Sequence, residues 1–319
     1  MDTKLVAILL ALLSAASVLY TQYDAKPELS AFESWQTKFN VKYESMFEKA
    51  YRERIFLENL AKVELHNSQD FHTYKMGINQ FSALTDEEFV SMNLGLIVPE
   101  SAQIEVEQAD NFRGADADWT AQGAVTGVKN QGSCGSCWSF STTGALEGLS
   151  KLGYGTLESF SEQQLVDCSS SYGNQGCNGG LMTSSFKFVK DHGIVHESQY
   201  PYKGVQGKCS QAEGPFKISG FTEITNCNDL ANAIVSRVVS VAVDATNWSR
   251  YSSGVFNNCA TRLNHGVTLT GVSDNAWTIK NSWGTTWGEK GYIRLARGNT
   301  CGVCNMASYP NKWFDFIWI

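Results

Sequence analysis

The chain has 319 residues, too many for one ordinary domain, and a formal net charge of −7. With no dense basic block, that charge argues against nucleic acid as a main partner, although acidity alone identifies no substrate. Nine cysteines and five histidines bound the nucleophile and metal chemistry open to it.

Lys4 precedes an apolar run over 5–13, followed by Ser14, Ala15, Ala16 and Ser17. This is the layout of a signal peptide, assigned to residues 1–17, and the run is short of the roughly 20 residues that span a bilayer. Residues 18–112 form a segment with its own organisation. Phe32, Trp35 and Phe39 line one helical stripe, and Tyr43, Phe47 and Tyr51 recur every four positions. Glu48, Arg52, Phe56, Asn59, Val63 and Asn67 follow at steps of four, four, three, four and four, predicting helices with an apolar face. Gly77, Asn79 and Phe81 then mark a short run ending at Ala83. The acidic, aperiodic stretch 99–110 suits an exposed strip cut during maturation. Cleavage near 111–114 would leave a third segment, 113–319, as the mature chain.

Within that third segment, Gln131-Gly132-Ser133-Cys134-Gly135-Ser136-Cys137-Trp138 sets a cysteine between small residues, just before a stretch that reads as a helix. Cys137 is the candidate nucleophile. The unpaired amides and dipole of a helix N-terminus favour a thiolate, and a neighbouring imidazolium would lower the thiol pKa further. His265 opens an alternating, strand-like stretch, and Asn281 follows another, offering an amide to hold the imidazole in one tautomer. His66, His72, His192 and His196 are read as surface histidines. Alternation in 238–243, 267–272, 277–279 and 292–295 predicts strands in the second half. Asn247-Trp248-Ser249 is a possible N-glycan acceptor, and an apolar tail ends the chain at 311–319. No internal repeat is visible.

Taken together, Cys137, with His265 and Asn281 lying 128 and 144 positions downstream, resembles the papain-like cysteine proteases, most closely the cathepsin L type. The 48–67 pattern resembles that type's E-R-F-N-I-N prosegment motif, with Val63 replacing isoleucine. The run from Gly77 resembles G-x-N-x-F-x-D, except that Ala83 stands where the family has an acid. In the family that acid is linked to acidic loosening of the prosegment, so a different pH dependence of activation is expected here.

The resemblance implies an α+β, two-lobe papain-like fold with a helical prosegment ahead of it. The left lobe would be helical and carry Cys137. The right lobe would be β-barrel-like, of antiparallel strands, and carry His265 and Asn281, with a cleft between the two. It assigns Gln131 and the Cys137 N–H to the oxyanion, where losing one donor costs roughly 3–4 kcal/mol. It pairs Cys134 with Cys177, Cys168 with Cys209, and Cys259 with Cys301; Cys227 and Cys304 are left as a fourth bridge or two thiols. A rival zinc reading of Cys134-x-x-Cys137 and Cys301-x-x-Cys304 suffers from the length of chain between the pairs; no metal or cofactor is implied.

By the same resemblance, Leu181, Met182, Ala242, Leu263, Gly266 and Met306 line an apolar pocket for the residue second before the scissile bond. Gly180 pairs with the substrate backbone, Trp283 shields His265 and Asn281, and Asn264 stands where papain has an acid. The short span between Cys168 and Cys177 implies an open cleft and endopeptidase action. Expected partners are protein and peptide substrates, the chain's own prosegment as inhibitor, and cystatin-type inhibitors, the mature form being a monomer. The expected location is a lysosome or equivalent acidic vacuole, or outside the cell. The alternative from another class is a non-catalytic binding protein or inhibitor on the same scaffold.

Overall fold

The structure, a computed structural model, describes residues 30–99, 116–259 and 262–312. The signal-peptide assignment, the cleavage region at 111–114 and the tail beyond Lys312 lie outside the described residues. The chain divides after Leu57 into two compact units.

In the first unit, helix α1 (Ala31–Phe39) starts on a capping box: Ser30 Oγ accepts from Glu33 N, and Glu33 Oε2 accepts from Ser30 N, both at 3.2 Å. It ends at Asn40 in the left-handed conformation. The rings of Phe32, Trp35 and Phe56 lie 5.5–5.6 Å apart and are buried. The second helix, α2 (Met46–Asn67), corrects one expectation. Tyr43 precedes it, Phe47 is 90% exposed and Tyr51 43% exposed, whereas Ile55, Phe56, Asn59, Val63 and His66 are buried. A row of residues four apart precesses about 40° per step around a helix of 3.6 residues per turn, so one such row cannot stay on a buried face for three turns.

The second unit starts within α2. Strand β1 (Tyr74–Met76) and helix α3 (Asp86–Asn93) follow, the latter on a Thr85–Glu88 capping box. Next come β2 (Ala117–Asp118), α4 (Cys137–Tyr154), α5 (Glu162–Cys168), α6 (Met182–His192), β3 (Gly220–Ile224) and α7 (Cys227–Ile234). Then come β4 (Val239–Val243), β5 (Tyr251–Phe256), β6 (His265–Val272), β7 (Ala276–Lys280), β8 (Tyr292–Ala296) and β9 (Ala307–Asn311). The strands pair in the order β1-β5-β8-β7-β6-β4-β9-β3, with β2 on β6. The path is open rather than barrel-like, and β5 pairs parallel to β8, so the right lobe is not wholly antiparallel.

Every residue of β4 and β6 is buried, because α4 covers the sheet at close range. Ser141 Oγ donates to Val267 O at 2.6 Å, Ser240 Oγ donates to Ser141 O at 2.7 Å, and a Cβ on Gly144 would run into Thr268. Two apolar cores result. One, around Trp277, Leu269, Ile293 and Trp287, belongs to the sheet; the other, around Trp138, Leu146, Phe160 and Phe186, belongs to the helices. Four disulfides fasten them: Cys134–Cys177, Cys168–Cys209, Cys259–Cys301 and Cys227–Cys304. The last is a bridge and not two thiols, and Cys137 alone of the two C-x-x-C pairs keeps its thiol.

Candidate active site

Cys137 is the first residue of α4, and the turn before it is fixed by backbone. Ser136 N donates to Cys134 O at 2.7 Å, and Gly135 N donates to Cys177 O at 3.0 Å. Gly135 is needed there, since a Cβ would lie 2.6 Å from that same carbonyl. His265 opens β6 and Asn281 follows β7; the antiparallel β6–β7 pairing, Thr268 opposite Lys280, brings the two together. His265 Nε2 lies 2.8 Å from Asn281 Oδ1, which also accepts from Ser282 N at 2.8 Å. An amide oxygen only accepts, so Nε2 carries the proton and Nδ1 keeps its lone pair, buried and without a hydrogen-bond partner. The Cys137 sulfur accepts from the N–H of Gly266, the residue after His265, at 3.4 Å. Trp283 stacks on the imidazole at 4.7 Å.

Burial works against the expected thiolate–imidazolium pair in this state. Burial pushes the Cys137 thiol up, against the backbone N–H groups of Gly266, Gly95 and Trp138. Burial lowers His265 to about 4, with the Asn281 hydrogen bond opposing. The site is sealed from solvent, and desolvation disfavours the charged form of each group. Of the other histidines, His66 also departs from the surface assignment. It is buried, bonds Tyr74 O at 3.0 Å and stacks on His72 at 3.7 Å.

The seal is the segment after α3. Gln131 Nε2 donates to Asn93 O and Cys134 O, both at 3.0 Å, while its Oε1 accepts from Ser282 Oγ at 2.6 Å. Gly180 N donates to Gly95 O at 3.0 Å, Ile97 N to Gly180 O at 3.2 Å and Leu96 N to Asn264 O at 3.1 Å, in a parallel bridge of Leu96 with Gly180. Gly95 passes so close to Gly135 that a Cβ would overlap its carbonyl. Leu96 is buried in one apolar cluster with Met182, Ala242 and Leu263, flanked by Leu181 and Met306. Gly266 borders the same pocket, where a Cβ would lie 3.0 Å from Met182 Sδ.

The residues of the two N-terminal motifs find distinct work. Asn59 Nδ2 donates to Ser82 O and Leu84 O at 2.9 and 3.0 Å, and Asn67 exchanges two bonds with Met76. Val63 is buried. Gly77 N donates to Arg250 O at 2.9 Å, and Asn79 Nδ2 to Ser249 O at 2.7 Å. Phe81 and Phe89 meet Trp283 edge-on at 5.6 and 5.2 Å. Glu48, Arg52 and Phe56 lie on the part of α2 in the first unit. Asn247 is exposed, as a glycan acceptor requires. Sequence reasoning missed Asn93, Gly95 and Leu96; a glycine between leucines just past a helix was the available signal.

Comparison with known proteins agrees with this geometry. The papain family of cysteine proteases matches residues 114–311, and the cathepsin propeptide inhibitor domain matches residues 32–89. Cathepsin L 2 of Paramecium tetraurelia is 43% identical over 309 residues, covering 94% of this chain and 98% of that protein. The solved structure of digestive procathepsin L 3 from Tenebrio molitor larval midgut superimposes with a TM-score of 0.79 at 40% identity, covering 89% of this chain and all of that one. A recombinant stem bromelain precursor superimposes with a TM-score of 0.80 at 36% identity, over 89% and 98% of the respective chains. This chain belongs to the papain family of cysteine proteases, as a cathepsin L-like zymogen carrying its own inhibitory propeptide.

Proposed function

We propose that the chain is an endopeptidase that uses Cys137 as nucleophile and His265 as acid and base. Once the prosegment leaves, solvent returns to the site and His265 Nδ1 takes the thiol proton. The thiolate attacks the scissile carbonyl, with the Gln131 side-chain amide and the Cys137 N–H donating to the oxyanion. His265 then protonates the leaving amine and activates the water that hydrolyses the acyl-enzyme. Asn281 keeps the ring in its reactive tautomer, and Trp283 keeps water from that hydrogen bond.

The observation that carries this reading is the segment 93–97, which occupies the donors and the pocket that a substrate would use. Leu96 in that pocket supports an apolar residue second before the scissile bond, since none of the residues named for the pocket is a carboxylate that would hold an arginine. Residues 1–17 would be the signal peptide, 18–112 the prosegment, and 113–319 the mature enzyme, acting in an acidic vacuole or outside the cell. To test this, purified proform is incubated in acid with a reductant and followed on fluorogenic Phe-Arg and Arg-Arg peptides, beside Cys137→Ala. Phe-Arg cleavage that vanishes in the variant is expected. A folded, processed wild type that cleaves neither peptide would favour the binding-scaffold alternative.

The acid missing at Ala83 is replaced three residues later. Ala83 is buried, and Asp86 Oδ1 accepts from Arg250 Nη1 at 2.8 Å, the same nitrogen donating to Asn59 Oδ1 at 3.0 Å. Lys62 Nζ adds an ion pair at 3.3 Å. Partial burial raises the Asp86 carboxyl, but the Arg250 hydrogen bond and charge, with Lys62, more than offset it and hold the group below its ordinary value. Asp86 would thus be the acid-sensitive clasp of this zymogen.

A further inference from the structure

Beneath the loop from Gln131 to Cys137 lies a phenol that the reaction above leaves without a role. Tyr202 Oη donates to the Gln131 carbonyl at 2.8 Å and lies 2.7 Å from Ser136 Oγ. A phenol has one proton, so with that proton on the carbonyl, the Ser136 hydroxyl donates to Tyr202. Ser136 precedes Cys137 as the cap residue of α4, is buried, and makes no side-chain bond to the helix end. One hydroxyl therefore ties the residue that bears the candidate oxyanion amide to the residue that precedes the nucleophile. The ring is fixed edge-on against Phe140 at 4.8 Å, and burial pushes the phenol up to about 12, so the donor keeps its proton through any working pH.

Tyr202 is in turn gripped from below, its backbone N donating to Glu197 Oε1 at 2.8 Å. Glu197 Oε2 and Glu162 Oε2 are both buried and receive no hydrogen bond among the described residues, and the charge of Glu162 acts on Glu197. A buried carboxyl beside a second one keeps its proton more readily. The nearby cations and the histidine are engaged with other oxygens. Lys129 Nζ bonds Glu162 Oε1 at 2.6 Å and Glu147 Oε1 at 2.8 Å, Lys280 faces Glu147, and the adjacent His196 pairs with Glu158 at 3.3 Å. Burial, followed by the charge of Glu162, raises Glu197 to about 7.

We propose that Tyr202 is a positioning residue for peptide hydrolysis, tying Gln131 to Ser136, and that Glu197 anchors it by accepting its backbone N–H. This rests on the protease reading above, and wild-type hydrolysis in the same assay checks that reading separately. The test uses mature enzyme carrying Tyr202→Phe or Glu197→Gln, with kcat and KM measured from pH 4 to 9 and the rate of Cys137 alkylation by iodoacetamide followed in parallel. Alkylation forms no oxyanion, so it separates loss of the donor's placement from a general loosening of the site. For Tyr202→Phe, kcat is expected to fall about tenfold, with KM and alkylation within about twofold. Glu197→Gln supplies an amide N–H that does not titrate, and is expected to remove a kcat limb near pH 7. Unchanged kcat in Tyr202→Phe, or kcat and alkylation falling together, would overturn the proposal. If Tyr202→Phe does not fold, the Glu197→Gln profile decides, and one matching wild type rejects the anchor.

Discussion

Two carboxyl groups of this chain respond to acid in opposite directions, and their surroundings explain why. Asp86 sits on the propeptide with 44% of its side chain exposed, against a guanidinium and an ammonium, and is held low. Glu197 has a buried oxygen without a hydrogen-bond partner and is held high by burial, followed by the charge of Glu162. For Asp86 the interaction is complete above the ordinary value of 3.8 and is lost as pH falls through the lower, docked value. For Glu197 the folded chain keeps a proton that the unfolded chain releases from 4.5 upward, so that contribution is complete below 4.5 and fades as pH rises through about 7. Acid is thus expected to loosen the Asp86 pair while it preserves the anchor under the loop 131–137.

The largest expected difference between the two regions comes from removing a cation. Lys129 lies between Glu147 and Glu162, whose side chains are 1% and 0% exposed. Lys129→Met leaves two buried carboxylates without their partner and is expected to cost about 3–5 kcal/mol, read from the urea midpoint of the proform. Asp86→Asn breaks a half-exposed pair that solvent screens, and its expected cost is only about 0.5–1 kcal/mol, a two- to fivefold weaker inhibition by the propeptide added in trans. Equal costs for the two variants would break the distinction by burial.

A smaller effect sharpens the same contrast through pH. The inhibition constant of the wild-type propeptide is expected to worsen below pH 4, whereas that of Asp86→Asn stays flat over the same interval. The chain's stability, measured between pH 4.5 and 7, is expected to lose part of its downward slope in Glu197→Gln. Salt separates the regions further. Raising ionic strength from about 0.1 to 1 M shortens the Debye length from about 10 to 3 Å, and is expected to weaken the Asp86 clasp while leaving the Lys129 cluster nearly unchanged.

These regions also differ in how far the sequence disclosed them. Cys137, His265, Asn281 and Gln131 were legible because each stands in a short motif with the right downstream spacing, and the helix and strands that bring them together follow from periodicity. The Asp86–Arg250 pair spans 164 positions and the Tyr202–Gln131 bond 71, and no local pattern marks either. The exposure of Phe47 and Tyr51 was misjudged because amphipathic spacing does not say where along a helix the buried face begins. The effect of burial on the thiol and the imidazole was missed for a related reason: sequence names the ionisable groups, but their charge depends on a cover, the segment 93–97, that approaches from elsewhere.

The smallest and most diagnostic effect concerns Ala83. This position is 2% exposed, so Ala83→Asp places a carboxyl where it has to find a donor or take up a proton, and either outcome adds a second group that titrates during docking. If Asp86 has taken over the acid response, Ala83→Asp is expected to steepen the dependence of processing rate on pH, and Ala83→Asp with Asp86→Asn is expected to move that dependence from one position to the other. Profiles for Ala83→Asp and wild type that superimpose would show that position 83 has no part in activation. A flat profile in Asp86→Asn alone would then leave the response to Asp86, three residues along the chain and bonded to a side chain of the mature segment.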